Sequence, residues 1–129
     1  MAYILIVDDD EDFAAASAAA LRKAGHEVKV ETRASRALQV LEARPPDLAV
    51  LDVMFPENES AGFDLARQMR QHPALKATPI LMLTAINMKF PLGFGSADKD
   101  EEWLPVTDFV EKPVDFDVLC RKVAALLAT

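Results

Sequence analysis

A chain of 129 residues is long enough for one domain with a real core and too short for two. Hydrophobic residues make up 51%, which excludes a disordered chain, and no apolar run approaches the ~20 residues of a membrane span. A net charge of −7 argues against nucleic-acid binding, which calls for a basic face.

Met1-Ala2-Tyr3 leads into a strand-like run without a basic flank or a small-residue cleavage site, so no signal peptide is expected. Residues 3–7 (YILIV) are apolar throughout, as a strand covered on both faces should be. Asp8, Asp9, Asp10, Glu11 and Asp12 follow as an unbroken acidic run. Such a run is often a solvated loop or helix start. Directly after a buried strand, the mutual repulsion of its first members points instead to a bound cation.

The Ala-rich residues 11–24 read as a helix that stops at Gly25, a good position for a left-handed C-terminal cap. His26, beside that glycine, reads as a surface residue. Segment 27–32 (EVKVET) alternates, which suits an edge strand. Residues 34–43 form a second helix with Ala37, Leu38 and Leu41 on one face, ended by Pro45-Pro46. Residues 48–51 (LAVL) are a second fully apolar strand, and Asp52 follows them. A third helix over 62–71 carries Phe63, Leu65, Ala66 and Met69 and ends before Pro73; His72 beside it reads as surface. Residues 80–83 (ILML) are another apolar strand, with Thr84 just beyond.

Residues 86–107 break this rhythm. Pro91, Gly93, Gly95 and Pro105 oppose a long regular helix, and Phe90, Phe94 and Trp103 lie among them. A short strand around Phe109 and Val110 ends at Lys112-Pro113. A last helix over 115–128 puts Phe116, Leu119, Val123, Leu126 and Leu127 on an apolar face, with Asp115 as N-cap. Cys120, the one cysteine, excludes an intrachain disulfide and fits a reducing, cytoplasmic setting. It reads as a small hydrophobe on this helix. Strand–helix alternation predicts a parallel sheet with right-handed crossovers, in one domain spanning 1–129.

The chemistry-bearing residues sit where strands end. Asp8-Asp9, Asp52, Thr84 and Lys112 each lie at or near the C-terminal end of an apolar run, where open parallel sheets bind ligands. Three carboxylates, a hydroxyl and an ammonium in one crevice make a site for Mg²⁺ (or Mn²⁺) and a phosphoryl group. A carboxylate attacks an anionic phosphoryl donor poorly unless a divalent cation neutralises charge on both. Mg²⁺ takes oxygen ligands and keeps several waters, so a few carboxylates and a carbonyl suffice. A lysine and a hydroxyl can stabilise the equatorial oxygens. On this reading Asp52 is the nucleophile, Asp9 a direct metal ligand, and Asp8 a ligand or an acceptor behind it. Lys112 pairs with the acyl phosphate and Thr84 hydrogen-bonds it.

In the motifs ILIVDDDEDF, PDLAVLDVMFP, PILMLTA and FVEKPVD, in that order, the chain resembles the response-regulator receiver domains of two-component phosphorelays. The resemblance covers essentially the whole chain. It implies a flavodoxin-like, doubly wound five-stranded parallel sheet in a three-layer α/β sandwich, here with an irregular segment at 86–107 replacing much of the fourth helix. It also implies phosphorylation of Asp52 by a histidine kinase or phosphotransfer protein. The Met54 carbonyl would complete the metal shell of Asp8, Asp9 and Asp52, and Lys112-Pro113 would be a cis peptide. Thr84 and Phe109 stand at the positions of the family's switch pair. Lacking a hydroxyl, Phe109 would respond to Thr84 by steric exchange alone.

The chain departs from the family pattern in two places. The 57–62 stretch (Glu57 to Gly62) is slightly longer than usual and brings two more carboxylates near the site, and 86–107 alters the usual output surface. The latter suits either a compact packed loop or a docking surface for a specific partner. Met54 and Ile86, two residues past Asp52 and Thr84, are apolar and orient an attacking water poorly, so slow self-dephosphorylation is expected.

The resulting expectation is a stand-alone cytoplasmic phosphoacceptor, not a dedicated enzyme. It would be a monomer or weak dimer that passes its signal to an output protein, with no nucleic acid or membrane as partner. One alternative is a receiver-shaped interaction or scaffold module that is never phosphorylated. Another is a small hydrolase or nucleotide binder, disfavoured because no Gly-rich phosphate loop follows the first strand.

Overall fold

Apolar side chains that alternate between two faces divide this protein into three layers. The computed structural model describes residues 2–52, 61–85, 108–112 and 115–128. The side chains of Ala61, Phe63, Thr84, Ala85, Phe109, Glu111 and Lys112 lie outside that description. The strands are β1 (Tyr3–Val7), β2 (Glu27–Glu31), β3 (Leu48–Asp52), β4 (Ile80–Ala85) and β5 (Asp108–Lys112). They pair in parallel in the order β2-β1-β3-β4-β5. The helices are α1 (Glu11–Lys23), α2 (Ala34–Ala43), α3 (Ala61–Gln71) and α4 (Phe116–Leu127).

The alternation explains the layering. Ile4 and Ile6 of β1, Leu48 and Val50 of β3, and Leu81 and Leu83 of β4 pack with Ala14, Ala18 and Leu21 of α1 and with Leu119 and Val123 of α4. Their neighbours Leu5, Val7, Ala49, Leu51, Ile80 and Met82 pack on the other face, with Ala37 and Leu41 of α2 and Leu65, Ala66 and Met69 of α3. With both faces covered, the central strands read as continuous apolar runs. The five-stranded parallel α/β fold expected from the sequence is therefore found. Among the described residues no helix is long and apolar enough to cross a membrane.

Boundaries move by a residue or two. β3 takes in Asp52, and β4 extends to Ala85 because Asp52, Thr84 and Ala85 still have ladder partners on the neighbouring strand. β2 stops at Glu31, and α3 begins at Ala61, one residue before the expected start. α1 ends at Lys23 with Ala24 as its cap, and Gly25 follows at φ 101°. The Gly25 N–H donates to the Arg22 carbonyl (3.0 Å) and the His26 N–H to the Leu21 carbonyl (3.1 Å), a Schellman closure. A Cβ at Gly25 would meet nothing within 4 Å, so a substitution there is opposed by the backbone conformation alone. Gly25→Ala is expected to lower stability by about 1 kcal/mol, read as a thermal midpoint a few degrees lower. Divalent-cation affinity should stay unchanged, because this turn lies at the opposite end of α1 from the acidic run.

A polar clamp ties β1 to its neighbours at the N-terminal edge of the sheet. The Tyr3 N–H donates to Asp47 Oδ2 (2.7 Å), and the Asp47 N–H donates back to the Tyr3 carbonyl (2.8 Å). The Arg44 guanidinium lies 3.9 Å over the Tyr3 ring and holds both carboxylate oxygens of Glu27. The Arg44 hydrogen bonds hold the Glu27 carboxyl below its ordinary range, and burial pushes the Tyr3 phenol up. At the sheet's other end, α4 starts on Asp115, whose carboxylate accepts the Asp117 N–H at 2.8 Å, the cap expected from sequence. Cys120 is half-buried, its Sγ 3.8 Å from the Ala20 carbonyl, and burial raises its thiol pKa, which suits a packing residue. His26 and His72 are both half-buried, and each accepts a backbone N–H, from Ala2 and Ala74 respectively.

Candidate functional site

Strand order alone marks one crevice. The chain leaves β1 for β2 on one side and resumes at β3 on the other, so the connections diverge between β1 and β3. Ligands in open α/β sheets bind at such a switch point, outside the strand C-termini. β1 delivers Asp8 there directly after Val7, whose register partner is Leu51, and β3 delivers Asp52 as its last residue. Asp52 also continues the Leu48–Val50 alternation toward the α1/α4 side.

Two of the three carboxylates are buried. Asp8 is 0% exposed, Asp52 is 1% exposed, and Asp9 is half-buried at the rim. One ligand oxygen from each of the three lies within 4.8 Å of the others. Like charges this close in a low-dielectric crevice repel by several kcal/mol, on the order of 3 at an effective dielectric of 20. A hard divalent cation is the partner whose chemistry fits an all-oxygen set of this span, and the residues present therefore fit Mg²⁺ or Mn²⁺.

The backbone around Asp8 is fixed from both sides. The Asp8 N–H donates to the Glu31 carbonyl at the end of β2 (3.1 Å), and the Asp10 N–H donates to Asp8 Oδ1 (2.9 Å). Asp10 is in turn the N-cap of α1, its Oδ1 accepting the Phe13 N–H at 3.1 Å. Sequence reasoning treated Asp8 to Asp12 as one acidic block and missed this separate task of Asp10. The usable signal was a cap-type residue placed just before the helical pattern.

Two more of the expected site residues, Thr84 and Lys112, fall near the same C-terminal ends of the strands. Thr84 lies in β4 opposite Glu111, and Ala85 pairs with Lys112, the last residue of β5. Phe109 pairs in register with Met82. The side chains of Thr84, Phe109 and Lys112 lie outside the described residues, as do Met54, Ile86, Pro113 and most of both departures, 57–60 and 86–107. The structure thus brings together Asp8, Asp9 and Asp52 as side chains, and Thr84 and Lys112 as strand-end backbone.

The chain is similar to known proteins in sequence and in fold. A family model described as response regulator receiver domain matches residues 4–124. The transcriptional regulatory protein GltR of Pseudomonas aeruginosa is 34% identical over 124 residues, covering 96% of this chain and 48% of that protein. The alkaline phosphatase synthesis transcriptional regulatory protein PhoP of Bacillus subtilis is 33% identical over 124 residues, again 96% of this chain and 48% of the relative. The chain spans about half the length of these curated relatives. Among solved structures, chemotaxis protein CheY4 of Vibrio cholerae matches with a TM-score of 0.81 at 26% identity, covering 98% of each chain. The signal receiver domain of a signal transduction histidine kinase from Syntrophus aciditrophicus matches at 0.80 and 28% identity, covering 99% of this chain and 91% of that one.

Proposed function

The chain belongs to the response-regulator receiver family of two-component signalling, and from that membership we propose that it is a phosphoacceptor in a phosphorelay. The observation that carries this reading is the convergence of Asp8, Asp9 and Asp52 at the switch point, with Asp8 and Asp52 buried. An Asp52 carboxylate oxygen attacks the phosphorus of a phosphohistidine on a histidine kinase or phosphotransfer protein. An O–P bond forms, the N–P bond breaks, and the imidazole nitrogen leaves with the electron pair. Asp8, Asp9 and Asp52 would hold Mg²⁺, and the Met54 carbonyl would serve as a further ligand. When bound, the cation supplies charge neutralisation to nucleophile and phosphoryl oxygens alike. Before transfer the three carboxylate charges would balance those of Mg²⁺ and the Lys112 ammonium; during it Lys112 pairs with the phosphoryl oxygens and Thr84 donates to one of them.

The reading extends to output. Movement of Thr84 toward the phosphoryl group shifts Phe109, and together with 86–107 this changes the surface offered to an output protein. Residues 1–129 act as one receiver unit in the cytoplasm, not as a dedicated enzyme. Its partners are proteins rather than nucleic acid or membrane, and the unit is a monomer or weak dimer. Apolar Met54 and Ile86 favour a long-lived phosphoryl group.

Incubation with acetyl phosphate and Mg²⁺, followed by intact mass measurement, tests the chemistry. One added phosphate that EDTA prevents is the expected result. A chain that binds Mg²⁺ yet takes no phosphate from acetyl phosphate or from any phosphohistidine donor would instead be a receiver-shaped interaction module.

A further inference from the structure

Asp10 joins two structures that the sequence sets side by side, the acidic run and the first helix. Its backbone N–H donates to Asp8 Oδ1 at 2.9 Å. Whether that N–H points at the carboxylate depends on the Asp10 backbone, which is extended at φ −80°, ψ 98°, as an N-cap requires. The conformation is held from the helix side by two bonds. Asp10 Oδ1 accepts the Phe13 N–H at 3.1 Å, and the Asp10 carbonyl accepts the Ala14 N–H at 2.9 Å. One exposed residue therefore fixes the start of α1 through its side chain and the rotamer of a fully buried carboxylate through its backbone.

We propose that Asp10 is a positioning residue for the metal site, setting the Asp8 carboxylate in its ligating orientation by capping α1. The inference rests on the proposed divalent-cation site and goes beyond it, because Asp10 itself is not a ligand. The physical reason is preorganisation: a carboxylate already held in place loses less freedom when the cation arrives. Without the cap, the first turn of α1 frays, the Asp10 N–H swings away, and Asp8 samples rotamers that do not ligate. The acidic character of Asp10 is secondary, since any short side chain with an acceptor oxygen can serve the cap.

The test is Mg²⁺ titration by calorimetry on the intact chain and on Asp10→Ala, Asp10→Asn and Asp10→Ser, with amide NMR of each metal-free protein. Asn and Ser remove the charge but keep an acceptor, while Ala removes both. The expected result is a dissociation constant about fivefold weaker for Asp10→Ala than for Asp10→Asn or Asp10→Ser. In the metal-free spectra, protection of the Asp10 and Phe13 amides should be lost in the alanine variant and retained in the other two. Equal affinity in all three variants overturns the proposal, because Asp10 would then act through its charge or not at all. A destabilised Asp10→Ala with unchanged Mg²⁺ affinity overturns it too, as a purely structural cap. If the unsubstituted chain binds no Mg²⁺, the metal reading fails first and takes this inference with it, an outcome distinguishable from the others because every variant is then silent.

Discussion

In metal-free buffer, Asp52→Asn is expected to be more stable than the unsubstituted chain, and in Mg²⁺ with acetyl phosphate it is expected to gain no phosphate mass. Both effects come from one carboxylate. Asp52 is 1% exposed beside the fully buried Asp8, with ligand oxygens within 4.8 Å. Two unit charges at that separation repel by about 3 kcal/mol at an effective dielectric of 20. The amide keeps the shape and removes the charge. Loss of the carboxylate's own interactions offsets part of the gain, leaving about 1–2 kcal/mol of net stabilisation. The adduct disappears because a neutral amide offers no anionic oxygen to attack phosphorus.

Mg²⁺ should reverse the order of stabilities. At a hundred times its dissociation constant a ligand stabilises the folded state by about 2.7 kcal/mol. The unsubstituted chain receives that in full and the asparagine variant only in part. Thermal unfolding in EDTA and across a Mg²⁺ series therefore gives two curves that cross. An Asp52→Asn protein that is less stable than its parent in EDTA, or that still gains phosphate, would remove Asp52 from the role assigned to it.

The second large effect is expected at the neighbouring position. Leu51→Ala should lower stability by about 3 kcal/mol, within the range of 2–5 usual for a truncated core leucine. Leu51 is 0% exposed in the middle strand of the sheet, and its cluster includes Leu5, Val7, Leu41, Leu65 and Met82. Urea denaturation reads the change as a lower midpoint at an unchanged slope. Because Leu51 faces α2 and α3 while Asp52 continues the opposite face, Mg²⁺ affinity of the folded variant should stay within about twofold of the parent, well under 1 kcal/mol. A loss under about 1 kcal/mol would mean that this layer relaxes into the cavity more readily than close packing allows.

Legibility from sequence followed the range of the interaction. β1, β3 and β4 were readable because strands buried on both faces are apolar at every position, and the Asp52 that ends β3 stood out against that background. Gly25 and Asp115 were readable because caps are local chemistry, written within a few residues of the helix end. Asp8, Asp9 and Asp52 converge because parallel register sets strand ends side by side, so two separate motifs pointed to one place. The clamp of Tyr3 with Arg44, Glu27 and Asp47 left no such trace. Tyr3, Glu27 and the Arg44–Asp47 pair lie far apart in the chain, and the three charged residues each read alone as ordinary surface residues. Leu75 lies in no helix or strand yet is fully buried among the core residues, while Arg70 donates to the Lys76 and Thr78 carbonyls nearby. No periodicity marks such a position.

That clamp gives the sheet two ends with different duties. Strand alignment is fastened where β1 begins, through Tyr3 and its neighbours, well away from the carboxylates. A sheet registered at one edge tolerates change at the other, because lengthening a connection there shifts no strand by a residue. The two stretches expected from the sequence to depart from the family pattern, 57–62 and 86–107, both come after strand C-termini, beyond β3 and β4. The fold thereby divides the work between its rims: one fastens the strands in register, and the other, where Asp8, Asp9 and Asp52 meet, can take longer connections without disturbing that register.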